Sequence, residues 1–357
     1  MPIIIYIPLG TNMGSHTGQS LIERYAEEIS DNTGVAVVAP TGNQGNTATH
    51  TSGTIKSAGD ISIIELKIGE KQKDIRIEIW ISKPDKVALS ITSPTGEVVK
   101  KIIPKLEEIT DITFVYEETS MKIEYLISDP ISGDQEIVIT ARDIREGIWE
   151  FKLIGQLIIV GKYDAWILQR ELIAPDTRFL RPNPYTTLMV PATSSSVISA
   201  AYYNQNNNSI VPESGRGFTR DGMIKPDIAA GGVNAKTTSV GGATAIISGS
   251  SVAGAITAGA CALLFQWGII DGNDTTMNAE KLKTYLIRGA KQRAGDVYPN
   301  PQWGYGMISL KGIFDNIRLG ENNKDTNYNN EMGKYTNEFY VGNLFIRLPK
   351  NYNIDYL

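Results

Sequence analysis

Apolar and polar positions fall into three regimes along the chain. Residues 3–7 (IIIYI) form an unbroken apolar run, the pattern of a strand buried on both faces of a parallel sheet. Downstream, Leu21, Ile22, Tyr25, Ala26 and Ile29 recur at helical spacing, with Thr17 placed to cap the helix and Gly34 to end it. The run VAVVA at 35–39 reads as a second buried strand. Strand, helix and strand in that order make a βαβ unit and hence a parallel sheet.

From about residue 53 to 182 the period changes to two. Ile75, Ile77 and Ile79 alternate with Arg76, Glu78 and Trp80, and Val87, Leu89 and Ile91 alternate with Ala88, Ser90 and Thr92. Ser93-Pro94-Thr95-Gly96 is a turn, and strand-like runs follow at 122–127, 136–140 and 149–154. Many short strands separated by turns predict an all-β sandwich or jelly roll. Because α/β patterning resumes afterwards, this module is an insertion. Residues 183–318 then hold two helices. One is apolar, begins near Ser250 and is expected to be fully buried. The other is capped by Asn278, with Leu282, Tyr285, Leu286 and Ala290 on its inner face. Residues 319–333 are polar enough to read as a solvated linker, and apolar character returns at 339–348, expected to dock on the body. The predicted organisation is thus an α/β domain in two pieces, 1–52 and 183–318, with an inserted β domain at 53–182 and a C-terminal segment at 319–357. Its parallel sheet is flanked by helices and incomplete at the amino terminus.

Composition narrows this picture only a little. Across 357 residues, 41% hydrophobic and 20% charged content fit a globular protein. A net charge of -5 argues against nucleic acid as the main partner. The single cysteine, Cys261, excludes an internal disulfide framework and lies in an apolar run where a core thiol is expected. Residues 1–10 are apolar, but no basic region precedes them and they are too few to span a bilayer. No carboxylate cluster has the spacing of a metal site, and no cofactor or membrane partner is implied.

Two segments carry candidate chemistry. Gly249-Ser250-Ser251-Val252-Ala253 sets a small, glycine-flanked serine at the head of a helix. There the free N–H groups and the positive end of the dipole favour an oxyanion beside the side chain. The second segment, Pro40-Thr41-Gly42-Asn43-Gln44-Gly45, turns sharply beyond the carboxyl end of a strand, where α/β folds bind their ligands. An asparagine there can aim its amide at a developing oxyanion.

Taken in order, these segments resemble the subtilisin-like serine proteases, or subtilases. Gly249-Ser250-Ser251-Val252-Ala253 is similar to the family's Gly-Thr-Ser-Met-Ala, with Ser250 for threonine and Gly254-Ala255 where many members have Ser-Pro. Gly42-Asn43-Gln44-Gly45 is similar to Gly-Asn-Glu-Gly, and Pro8-Leu9-Gly10 resembles the Ser-Leu-Gly strand that pairs with substrate. Ser214-Gly215-Arg216-Gly217, residues 225–233 and Trp303-Gly304-Tyr305-Gly306 resemble the remaining segments. The resemblance implies Ser251 as nucleophile and Asn43 as oxyanion donor, with Pro8, Leu9, Gly10, Ala39, Pro40, Thr41 and Gly42 lining the substrate groove. Phrases such as Gly147-Ile148-Trp149 and Tyr163-Asp164-Ala165-Trp166 make the insertion similar to that of the Csp-type germination subtilases of spore-forming bacteria, in which a jelly roll rigidifies the protease.

The chain also departs from the family. Subtilases place a catalytic Asp and then a His before the strand that here begins at Ile3. The only histidines, His16 and His50, stand in Gly-Ser-His-Thr and Ala-Thr-His-Thr, neither matching His-Gly-Thr-His, and both are expected to be loop or packing residues. In a Ser-His-Asp site, loss of the histidine costs about 10⁶ in turnover, leaving about 10³–10⁴ over water from the oxyanion hole and binding. Two functions follow. One is a serine endopeptidase acting on peptide or protein, this chain holding the serine half and an N-terminal segment or propeptide supplying Asp and His. The other is a non-catalytic, subtilase-like binder of a peptide or protein partner.

Overall fold

A computed structural model describes residues 1–104, 109–325, 338–341 and 344–347. Residues 1–314 form one compact unit and residues 315–357 another. In the first, Ile3–Tyr6, Val35–Pro40, Ile198–Asn204 and Ile228–Gly231 lie side by side as parallel strands, paired Ile3 with Val35, Ile198 with Val38 and Ala200 with Ile228. The alternation of apolar side chains serves both faces. Val37 and Ala39 pack under the Leu21–Ser30 helix with Ala26, Ala192 and Val197, while Ala230 and Tyr202 meet Ala253 of the Ser250–Phe265 helix on the opposite face.

Three expectations for this sheet change. The first strand is parallel and lies at the edge of the sheet, as expected, but it is not buried on both faces, and Ile3 stays 51% exposed. The first helix is capped by Ser20, not Thr17, and only part of its apolar stripe faces inward. Glu23 is buried beside Ala26 and Ser30, held by the Ser20 hydroxyl at 2.7 Å and by Thr193, whereas Leu21, Ile22 and Tyr25 face outward. A reciprocal capping box with a buried carboxylate at its third position thus overrides the hydrophobic stripe. The serine helix, expected to be fully buried, is covered on one side only. Val252, Ala253, Thr257, Cys261 and Leu264 point inward, while Ala255, Ile256, Gly259 and Leu263 are exposed. Burial pushes the Cys261 thiol up to about 12, so it is an inert core group. The second helix, Ala279–Arg288, is capped by the Asn278 side chain at 3.1 Å and buries Leu282 and Leu286, as its pattern predicts.

The inserted strands form a two-sheet antiparallel sandwich. One sheet runs His50–Thr54, Lys162–Ile167, Ile75–Ile81, Gln135–Arg142, Thr119–Leu126, Ile109–Phe114; the other runs Arg178–Phe179, Ile61–Ile68, Gly147–Leu157, Lys86–Thr92, Val98–Ile102. Their inner faces meet over Ile77, Ile79, Leu89 and Ile91, which alternate in the sequence, together with Trp149 and Phe151. The sandwich is anchored to the parallel-sheet region through polar groups. Glu78 accepts the Gly14 N–H at 2.7 Å, and Arg220 pairs with Asp134 while stacking over Trp80. The rings of His16 and His50 both stack on Trp166, with centroids 4.1 and 4.6 Å away.

In the second unit, part of the predicted linker is helical, since Leu310–Asp325 forms one helix. Residues 326–333 lie outside the described residues. The expected docking segment contains a hairpin of Glu338–Val341 with Leu344–Arg347; its docking contacts fall outside what is described.

Candidate active site

Ser250 begins its helix directly after Gly249, whose φ of 136° only glycine adopts readily. That turn brings the chain out of the Thr244–Ile247 strand and aims the helix N-terminus at the loop holding Asn43. Asn43 Oδ1 accepts the Ser250 N–H at 3.1 Å. This bond commits the amide oxygen to the helix N-terminus. The Ser251 hydroxyl reaches the Pro8 carbonyl at 3.4 Å, so the nucleophile position lies against the segment that continues the edge strand.

A residue without a sequence signal completes the arrangement. The Tyr6 hydroxyl donates to the Ser251 backbone carbonyl at 2.5 Å, across 245 positions of sequence. Burial raises the Tyr6 pKa and the bond to Ser251 partly offsets it, so the phenol stays a donor. A methyl group on Gly254 would approach the Tyr6 ring to 2.9 Å, which gives the glycine at that position its reason.

Leu9 is exposed beside Ser251, and Pro8 and Gly10 flank it. Ala39, Pro40 and Thr41, expected to line a groove, are instead fully buried. They form the end of the Val35–Pro40 strand and its exit, with the Thr41 N–H bonded to the Ala200 carbonyl, so they support the site from beneath. Gly42, with φ of 86°, makes the turn that lifts Asn43 to the helix.

Neither histidine is available to Ser251. Both ring nitrogens of His16 lie 2.8 Å from backbone carbonyls, those of Leu188 and Asn12. His50 bonds Asp164 at 3.0 Å and the Asn183 carbonyl at 3.0 Å, inside the sandwich interface. The reading of both as packing residues matches their geometry. Lys225 and Asp227, in the segment before the nucleophile, form a buried pair at 2.7 Å, and Asp227 also accepts both the N–H and the hydroxyl of Ser199. Burial raises the Asp227 pKa, but the Lys225 and Lys283 ammonium groups outweigh it and hold the carboxyl below its usual range. Among the described residues no group of His, Cys, Asp or Glu is arranged to hold a metal ion.

A parallel α/β sheet carrying a helix-borne serine, an asparagine at the head of that helix and an inserted β-sandwich defines a subtilisin-like scaffold. Residues 180–306 match the peptidase S8 (subtilase) family model. The chain is similar to the CspB protease of Clostridium perfringens, with 34% identity over 88% of this chain and a TM-score of 0.81. The chain spans 65% of that protein's length. Shorter overlaps occur with the prenylagaramide maturation protease PagA, 23% identical over 37% of this chain and 46% of that one with a TM-score of 0.32. The patellamide maturation protease PatA overlaps at 21% identity over 38% of this chain and 48% of that one, also with a TM-score of 0.32. No curated protein matches the chain.

Proposed function

We propose that this chain carries the serine half of a subtilase-type endopeptidase site. Ser251 is the nucleophile toward a peptide carbonyl, and Asn43 Nδ2 with the Ser251 N–H receives the tetrahedral oxyanion. The observation that carries this reading is the bond from the Ser250 N–H to Asn43 Oδ1, which holds the asparagine side chain against the first turn of the serine helix. An amide held at that place has a clear chemical use as an oxyanion donor in acyl transfer.

The acid–base pair comes from another polypeptide segment, such as an N-terminal subtilase segment or a propeptide. The Ile3–Tyr6 strand has a free edge, and the exposed face of the serine helix beside it is apolar at Ile256 and Leu263. One further parallel strand with a covering layer would satisfy both.

A second reading, peptide or protein binding without hydrolysis, is favoured by the full engagement of both histidines. A fluorophosphonate probe separates the two. Labelling of Ser251 is expected only when the chain is mixed with a subtilase segment carrying the Asp and His motifs, and Ser251→Ala should abolish it. No labelling under any complementation, with peptide binding retained, would establish the second reading.

A further inference from the structure

We propose that the inserted sandwich carries a binding site of its own for a primary alkylammonium, the group borne by a polyamine or a lysine side chain, with Glu117 as its anchor. Three connections meet at one end of the sandwich, those that follow the Ile61–Ile68, Ile109–Phe114 and Gln135–Arg142 strands. They enclose a cavity of about 530 Å³ whose lining comes from the sandwich alone.

The cavity joins an acidic rim to a partly apolar floor. Glu70, Glu117, Glu118, Asp143 and Glu146 line it against only two cations, Lys73 and Arg145. Ile144 and Glu117 are 3% and 2% exposed and form the floor, while the other charges stand on the exposed rim. Backbone bonds fix this floor. The Ile144 N–H donates to the Lys73 carbonyl at 2.7 Å, and the Arg145 N–H to the Thr119 hydroxyl at 3.1 Å, so the three connections are tied together.

An acidic rim alone is ordinary solvated surface, and Glu117 is what makes this one a site. Its Oε1 is turned to the Ser93–Glu97 turn, where it accepts the Thr95 N–H at 3.1 Å and the Thr95 hydroxyl at 2.5 Å. That turn is not part of the cavity wall. Oε2, on the cavity side, is buried and has no hydrogen-bond partner. A buried carboxylate oxygen without a donor is costly, so a cationic donor gains more there than on the rim. The same geometry selects the cation. A guanidinium binds best to both oxygens of a carboxylate at once. With Oε1 committed to Thr95, one oxygen is on offer, which suits the point charge of an ammonium, and Ile144 receives the methylenes beside it. A bare metal ion fits less well, since no group of His, Cys, Asp or Glu among the described residues is arranged to hold one.

The test is isothermal titration calorimetry of the full chain with spermidine and with the acetylated, amidated dipeptides Lys-Lys and Arg-Arg. Saturable one-site binding of spermidine or Lys-Lys is expected. Glu117→Gln, which keeps the acceptor for Thr95, should weaken it at least about tenfold. Glu27→Gln, on the exposed face of the Leu21–Ser30 helix, should leave it unchanged. Tighter binding of spermidine assigns the site to a free polyamine, and tighter binding of Lys-Lys to the lysines of a protein partner; either supports the inference. No saturable binding of either amine overturns it, as does an equal loss in the Glu27 variant or tighter binding of Arg-Arg. Calcium that displaces spermidine at lower concentration overturns it in favour of a metal. If Glu117→Gln does not fold, Glu146→Gln on the rim serves in its place, with a several-fold loss expected and an unchanged affinity overturning the inference.

Discussion

The Tyr6 hydroxyl donates to the Ser251 carbonyl, and the Tyr6 ring lies where a side chain on residue 254 would otherwise project. The edge strand thereby holds the first turn of the serine helix by a bond and by shape together. Gly254→Ala places a methyl 2.9 Å from the ring and 3.3 Å from Pro40 Cβ, so the helix or the ring must shift. We expect a loss of about 1–3 kcal/mol. In the Tyr6→Ala background the ring is gone, and the same substitution should cost about 1 kcal/mol less. Urea midpoints of the two single variants and the double variant check this, and additive effects would refute the contact.

Asn43 has two jobs on its two amide atoms, and substitutions can separate them. Asn43→Asp keeps an acceptor for the Ser250 N–H but removes the amide's donor. In a complemented, active preparation, kcat should fall about 10²–10³-fold with a melting temperature within a few degrees of the parent. Asn43→Ala should lose a similar factor in rate and also stability, since the Ser250 N–H is left unpaired. A variant Asn43→Asp with unchanged kcat would remove Asn43 from the oxyanion hole.

How much of this could be read from the sequence depended on whether the cause was local. The sandwich strands were legible because Ile75, Ile77 and Ile79 declare a period of two that their packing obeys. The Asn278 cap was legible for the same reason, since cap and helix are neighbours in sequence. The orientation of the first helix was not. Its stripe of Leu21, Ile22 and Tyr25 outweighs Glu23 in any periodicity count, yet Glu23 finds Thr193, 170 positions away, and turns inward. The burial of the edge strand was misjudged similarly, because an apolar run does not tell how far each of its faces is covered. Ser251 and Asn43 stood out by motif, but Tyr6 did not. Its role arises where the edge strand and the serine helix converge.

Asp227 is the next point where a single change should be costly. Its carboxylate neutralises the buried Lys225 at 2.7 Å and accepts twice from Ser199. Asp227→Asn leaves the Lys225 ammonium in the core with only the Val197 carbonyl beside it among these partners. We expect a loss of about 3–5 kcal/mol, and partial recovery when Lys225→Met is added. Recovery distinguishes an uncompensated charge from simple loss of packing, and its absence would contradict the pairing.

Acid should weaken the junction between sandwich and sheet through His16. Burial outweighs its two carbonyl partners and pushes the imidazole down to about 4, while in the unfolded chain it titrates near 6.5. The unfolded state therefore binds the proton first. The stability tied to neutral His16 is fully present above pH 6.5 and is lost as pH falls from 6.5 to 4, by about 3 kcal/mol in all. Denaturation midpoints of the parent and His16→Gln, compared between pH 4 and 7, should converge as pH falls. A constant gap across that range would show that His16 takes its proton as readily in the folded chain as in the unfolded one.

Glu136 should act with the opposite sign. Burial, reinforced by the nearby Glu78 carboxylate, pushes its carboxyl up to about 8, from an ordinary value near 4.5. Glu78 is itself fixed by the Gly14 N–H and by Arg76, so it stays beside Glu136. The folded state keeps the Glu136 proton after the unfolded chain has released it. The associated stability is fully present below pH 4.5 and disappears as pH rises through 8, a change on the order of 5 kcal/mol. Glu136→Gln fixes the neutral form. The variant should match the parent near pH 4.5 and melt progressively higher than it up to pH 9. Because His16 loses its contribution over pH 6.5 to 4 and Glu136 over 4.5 to 8, the parent's own curve is flattened in the overlap. The difference between parent and variant, and not the parent alone, is therefore the quantity to measure.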